Sequence, residues 1–229
     1  MKNGGLILAI DTSLGAVSAC LIDHETLDSA SALSLRMERG HAEALAPALQ
    51  KLFESVDGGM GRLARVAVTV GPGSFTGVRV GVAAARAIGL ARDVEVVGIS
   101  TLSAFAAPHR GEPGTIIVSA LEARGGALIA EMCDERGKLL FFGRCGSLRD
   151  LLGLTGPAPL RLVGPAAPRL ALEAWSLGHE AEVFGETHSP DVTYVARLGL
   201  LTDAREAPPR PVYFSAEAQG GVADACVTV

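Results

Sequence analysis

Gly71, Gly73 and Gly77 stand between the apolar run RVAVTV and a helical pattern, and their spacing is the first in this chain to suggest chemistry. A glycine-rich turn that opens a helix aims backbone amides at an anion. The spacing G-x-G-x-x-x-G departs from the dinucleotide-binding pattern, and no Gly-Lys-Ser/Thr follows to complete a phosphate loop. Only amides and a helix terminus remain to attract a phosphate. The same residues answer a structural need: Gly71 and Gly73 permit a tight turn around Pro72, Ser74 or Thr76 caps the helix, and Gly77 and Gly81 let it pack closely. A flat helix face of small residues suits close helix contact, so the turn and helix read better as a recognition surface than as a nucleotide grip. Arg79 and Arg86, seven apart, are either a solvated edge or the polar rim of an interface centred on Val78, Val82 and Ala85.

The other reactive side chains do not assemble into a catalytic set. Asp11, in IDTS, occupies the place where an actin-like ATPase sets its first phosphate loop, but an Asp that closes a strand usually caps a turn. The matching stretch of the second half, SALEARGGA, offers Glu122 where an Asp would be needed. His41 opens a helical pattern and is followed four residues later by Leu45, so no metal-binding His pair shares a face. His24, His109, His179 and His188 fall in loops without matching carboxylates, and Ser74 sits in no G-x-S-x-G elbow. Cys20, Cys133, Cys145 and Cys226 are widely spaced and form no C-x-x-C pair, which reads as free thiols in a reducing compartment. Neither a catalytic residue nor a metal or cofactor site is expected.

Composition narrows the partners. The net charge of -5 repels a nucleic-acid backbone, and an aromatic content of 4% without basic interleaving gives no stacking platform. RNA contact therefore calls for a partner. The N-terminal apolar stretch ends at Asp11, too short for a secretory segment, and Arg79 and Arg86 interrupt the most apolar region. The expectation is a soluble cytoplasmic protein that crosses no membrane.

The elements that must hold these residues follow from periodicity. LILAIDTS, AVSACLID and LDSASALSL read as three sequential strands. Leu45, Ala48, Leu49, Leu52, Phe53 and Val56 then recur at helical spacing, with Pro47 near the first turn, until DGGMG. RVAVTV is a buried strand, a helix runs from about Gly77 to Leu90, VEVVGIS is the next strand, and TLSAFAA is a short helix capped by Ser100 or Thr101. The order βββ-α-β-α-β-α makes an α/β unit with a mixed five-stranded sheet, the layout of the ribonuclease H-like fold repeated in actin-like proteins. APHRGEPG marks a boundary, giving a first lobe at 1–107 and a second at 108–214. The second holds three strand-like runs, the helix SLRDLLGL, the strand PLRLVGPA and the helices APRLALEAWSLG and DVTYVARLGLLTD, and reads as a smaller, degenerate copy of the first. Residues 215–229 are expected to be a mobile tail.

LILAIDTS, GHAEALAPAL, GPGSFTGVRVGVAAARAIGLA and VVGISTLSAFA together resemble the TsaB (YeaZ) family of tRNA threonylcarbamoyladenosine synthesis, and the likeness thins in the second half to EARGGALIAEM, LVGPA and PVYF. The resemblance implies a two-lobed actin-like fold without an active site of its own. It implies a partner, TsaD, that carries the metal-binding histidines and transfers threonylcarbamoyl from its adenylate to the adenosine next to the anticodon, in tRNAs reading codons that begin with A. An ATPase, TsaE, joins that assembly, tRNA is contacted mainly through the complex, and a homodimer is possible when the partner is absent. The pairing surface it implies is carried by His41, Leu45 and Leu49 on one helix, by Gly73, Ser74, Phe75, Thr76 and Gly77 at the turn, and by Arg79, Val82 and Arg86 on the next helix. Two departures fall in the second half: Glu122-Ala123-Arg124 replaces the family's Asp-Ala-Arg, and Ser215 stands where an Arg usually follows the P-x-Y segment. The alternatives are an actin-like ATPase or kinase, or a metallopeptidase of the same superfamily.

Overall fold

The computed structural model describes residues 5–153, 156–185 and 188–214. The expected tail at 215–229, with Ser215 and Cys226, lies outside them.

Two units divide the chain. The first takes the residues up to Ala104 together with Ser189–Pro211; the second takes Phe105–His188 and the described residues from Val212. In the first, β1 (Leu6–Asp11), β2 (Ala16–Asp23) and β3 (Ser29–Arg36) meander. After them come α1 (His41–Glu54), β4 (Leu63–Gly71), α2 (Phe75–Arg92), β5 (Glu95–Ser100) and α3 (Thr101–Ala106), which crosses the unit boundary. The sheet order is β3-β2-β1-β4-β5, with β1 antiparallel to β2 and parallel to β4. This is the mixed ribonuclease H-like sheet that the element order predicts. β1 is apolar throughout apart from its terminal Asp and wholly buried, because strands flank both its edges and helices cover both faces.

The second unit repeats the plan: β6 (Ile116–Glu122), β7 (Leu128–Asp134), β8 (Leu139–Cys145), α4 (Leu148–Leu152), β9 (Leu160–Val163), α5 (Ala167–Ser176) and β10 (Ala181–Val183). Its sheet order, β10-β9-β6-β7-β8, has the pairing directions of the first. The second unit is thus reduced in length, not in topology: β9 has four residues, β10 three and α4 five. Ser147 and Asp150 cap the short α4 reciprocally, and Leu148 and Leu151 seat it on a core with Val118, Ala130 and Leu170. Gly71-Pro72 at the end of β4 and Gly164-Pro165 just after β9 stand at corresponding places in the two sheets.

The division of the chain corrects the expected boundary. The last helix, α6 (Val192–Leu201), belongs to the first unit, not to a second lobe running to residue 214. Val192, Val195 and Ala196 pack on Ile7, Ala9, Cys20, Ala67, Val97 and Ile99, the sheet face left bare by α1 and α2. The buried Arg65 secures its C-terminal end, donating to the Leu200 and Thr202 carbonyls at 3.2 and 2.8 Å. A cation is favoured there by the helix dipole. Pro47 is corrected too: α1 starts at His41, after Gly40 in the left-handed region, which places Pro47 inside the helix on its exposed side. Among the described residues no helix is long and apolar enough to cross a membrane.

Candidate docking site on the first lobe

Asp11 closes β1 at full burial. Its Oδ1 accepts from the Ser13 amide at 3.1 Å, the Ser13 hydroxyl at 2.6 Å and the Thr69 hydroxyl at 2.6 Å, while its Oδ2 is buried without a partner. Burial raises its pKa above the ordinary carboxylate value, against the pull of these hydrogen bonds and of His41. The side chain is the cap of a turn, and its position leaves no oxygen at the surface for a nucleotide-bound metal.

The turn it caps receives α2. The Ser74 amide donates to the Ser13 carbonyl at 2.7 Å, and the Thr12 hydroxyl donates to the Gly77 carbonyl at 2.6 Å. A methyl group on Gly73 would strike the Ser13 carbonyl, one on Gly77 the Thr12 carbonyl, and one on Gly81 would come 2.5 Å from the Thr12 hydroxyl. The glycine repeat is therefore a seam of close backbone approach between α2 and the end of β1. Ser74 is the cap of α2, accepting from the Gly77 amide at 3.3 Å. Two amides that a phosphate would need at this terminus are already engaged.

The inner face of α2 settles the fate of the proposed contact residues. Gly77 and Val82, like Leu45 and Leu49 of α1, are buried within the chain itself and cannot touch another protein directly. They correct the sequence reading: apolar and small residues at helical spacing mark the side facing the sheet. His41 is half-buried, and its Nε2 donates to the Leu14 carbonyl at 2.8 Å, so it ties α1 to the same turn.

Gly73, Ser74, Phe75, Thr76, Arg79 and Arg86 are exposed as expected. The Arg79 guanidinium lies over the Phe75 ring, 3.6 Å from its centroid. Sequence reasoning missed Ala83, Ala87 and Leu90, which extend the outer stripe to the end of the helix; Leu90 is 86% exposed and Phe75 57%. Their spacing from Thr76 and Arg79, in steps of three and four, was the available signal. α1 packs alongside and exposes Ala42, Ala46, Pro47 and Gln50. The outcome is a small-residue surface with an aromatic–arginine pair at one end and a bare leucine at the other. Such a surface suits a protein partner.

The remaining candidates stay apart. Among the described residues no group of three His, Cys, Asp or Glu side chains is placed to hold a metal. Burial pushes the Cys20 thiol up to about 12 and those of Cys133 and Cys145 up to about 11, well away from nucleophilic thiolates. Glu122 ends β6 at the surface, 3.2 Å from Arg169, and Arg169 and Arg144 both donate to carbonyls of the Arg124–Gly126 turn.

A family model described as TsaD, tRNA N6-adenosine threonylcarbamoyltransferase, matches residues 35–144. The tRNA threonylcarbamoyladenosine biosynthesis protein TsaB of Bacillus subtilis is 31% identical over 134 residues, 58% of this chain and 57% of the relative. That of Escherichia coli is 32% identical over 121 residues, 52% of this chain and 51% of the relative. The chain is thus similar in sequence to several TsaB proteins and in fold to YeaZ. It aligns with about half the length of the curated TsaB proteins it matches. The solved YeaZ from Pseudomonas aeruginosa shares its fold: 20% identity, 92% of this chain and 100% of that one covered, TM-score 0.66. A second crystal structure, of an uncharacterized protein similar to peptidase YeaZ from Pseudomonas aeruginosa, superposes at TM-score 0.72 with 19% identity, covering 92% of this chain and 100% of that one. The GPGSFTGVR turn of this chain is the seam described above.

Proposed function

We propose that this chain is a non-catalytic partner of a TsaD-family protein in the formation of threonylcarbamoyladenosine on tRNA. The observation that carries the reading is the outer stripe of α2, with Phe75, Arg79, Ala83, Arg86 and Leu90 held outward by a glycine seam on the other side. A surface of this kind gives its partner a rigid, nearly flat helix to pack against. In this role the chain shapes or stabilises the protein that performs the transfer, a TsaE-type ATPase joins the assembly, and tRNA is held mainly by the complex, consistent with a net charge of -5. With the partner absent, the same stripe accepts a second copy of this chain.

The names of its TsaB relatives and the match to the TsaD model support this assignment. The experiment is reconstitution of the tRNA modification from purified components with this chain present or omitted, coupled to size exclusion of the chain with the TsaD-family protein of the same organism. Co-elution and a requirement for the chain are expected. Absence of both sinks the proposal. The rival reading, an ATPase or kinase, requires Asp11 to meet a nucleotide-bound metal, and Asp11 is instead sealed beneath the start of α2. Calorimetry of the isolated chain with ATP and magnesium separates the two, since tight binding would revive the rival.

A further inference from the structure

Both helices of the docking site are attached to one corner. From the end of β1, Ser13 holds the entry to α2 through its carbonyl, Thr12 holds the first turn of α2 through its hydroxyl, and Leu14 holds the start of α1 through the His41 imidazole. The carbonyl at Leu14 only accepts, so the Nε2 of His41 is the donor in this bond. Asp11 gathers this corner from beneath and ties it to β4 through Thr69. All of these bonds but that of His41 lie between buried or closely packed groups, and the glycine seam leaves the backbones no room to slide.

We propose that the Asp11–Thr12–Ser13 corner is the positioning element of the docking surface, setting the orientation of α1 and α2 relative to one another so that their outer faces match the partner. The inference rests on the docking assignment above and adds which residues specify the shape of that surface. None of the three touches the partner, because all are fully or almost fully buried. They act through Gly77 and Ser74, and the next residue, Leu14, holds His41. A helix pair held only by apolar contacts can rock, since such contacts are not directional. Hydrogen bonds to the end of one central strand remove that freedom, and rigid presentation lowers the ordering cost of association.

Thr12→Val keeps the shape of the side chain and removes its donor to Gly77; Thr12→Ser restores the donor. Ile7→Val serves as a reference, because Ile7 packs on the α6 face of the same sheet, away from α1 and α2. Each full-length variant is titrated with the TsaD-family protein and its melting temperature recorded, and amide exchange is followed at the first turn of α2. Thr12→Val should weaken binding by about tenfold or more and speed exchange there, with Thr12→Ser within about threefold of wild type and Ile7→Val unchanged in affinity despite a lower melting temperature. Wild-type binding that Thr12→Val leaves intact overturns the positioning role, as does an equal loss of affinity in Ile7→Val. Failure of the wild-type chain to bind at all overturns the docking assignment instead. Asp11→Asn and Thr69→Val extend the series if Thr12→Val does not fold, and unaltered affinity in both of them has the same overturning force.

Discussion

The Arg79 guanidinium sits 3.6 Å above the centre of the Phe75 ring on the outside of α2, one turn along the helix, with Phe75 more than half exposed. An aromatic ring and an arginine pre-stacked at a surface are the side chains that most often dominate a protein interface once water is driven out. If the proposed docking holds, Phe75→Ala and Arg79→Glu should each weaken binding to a TsaD-family protein by about 2 kcal/mol, roughly thirtyfold, with the melting temperature of the isolated chain unaltered. Calorimetric titration measures the first quantity and thermal unfolding the second. Affinity within a factor of about two for both variants would remove the stripe from the interface.

Gly77 and Gly61 provide a matched pair for the glycine seam. A methyl on Gly77 collides with the Thr12 carbonyl, whereas one on Gly61 meets nothing within 4 Å. Gly77→Ala should cost about 1 to 3 kcal/mol in chemical denaturation although alanine is the better helix former, because backbone must move to admit it. Gly61→Ala should be neutral to slightly stabilising. Equal stabilities for the two variants would mean that the seam is looser than its geometry indicates.

Asp11 predicts a direction of pH dependence. Burial raises its folded pKa above the ordinary 3.8, so below that value the carboxyl is protonated in both folded and unfolded chains and its contribution to stability is fully present. As pH rises past 3.8, the unfolded carboxyl releases its proton while the folded one retains it, and the contribution declines until the folded pKa is passed. The stability of wild type minus that of Asp11→Asn should therefore fall as pH increases above about 4, read from urea curves at successive pH values. A difference that rises with pH would show a carboxylate stabilised by its hydrogen bonds, the opposite sign.

Arg65 is the anchor of α6. Arg65→Met keeps the aliphatic stem but abandons the carbonyls of Leu200 and Thr202, and it should cost about 2 kcal/mol. Limited proteolysis should then cleave between residues 189 and 211 before any other described segment. Cleavage elsewhere first would show that α6 is held by its apolar face alone.

Most of the first lobe was legible in the sequence, because β1, β2 and β4 are rich in small and branched apolar residues and α1 and α2 begin just after Gly40 and Ser74. β10 was not: three residues, Ala181–Val183, are too few to express a period, and the strand exists only because β9 offers it an edge. The place of α6 was equally hidden, since an apolar stripe announces that a helix will be buried without saying against which sheet. The proposed contact residues divided for a related reason. Leu45, Leu49 and Val82 repeat at helical spacing because they face their own sheet, and the outer stripe, made of Ala83, Ala87 and two arginines, is too mixed to stand out. Thr12 escaped notice altogether, its role depending on Gly77, 65 positions away.

The return of α6 to the first sheet also sets a timetable for synthesis. When the ribosome has released β5, one face of the first sheet can close under α1 and α2, but Ile7, Ala9, Cys20 and Val97 on the other stay bare until Val192, Val195 and Ala196 emerge. Every residue of Phe105–His188 is made in that interval. A nascent chain halted before residue 189 carries an uncovered apolar sheet, which makes this the stretch of translation during which a chaperone has the most to bind.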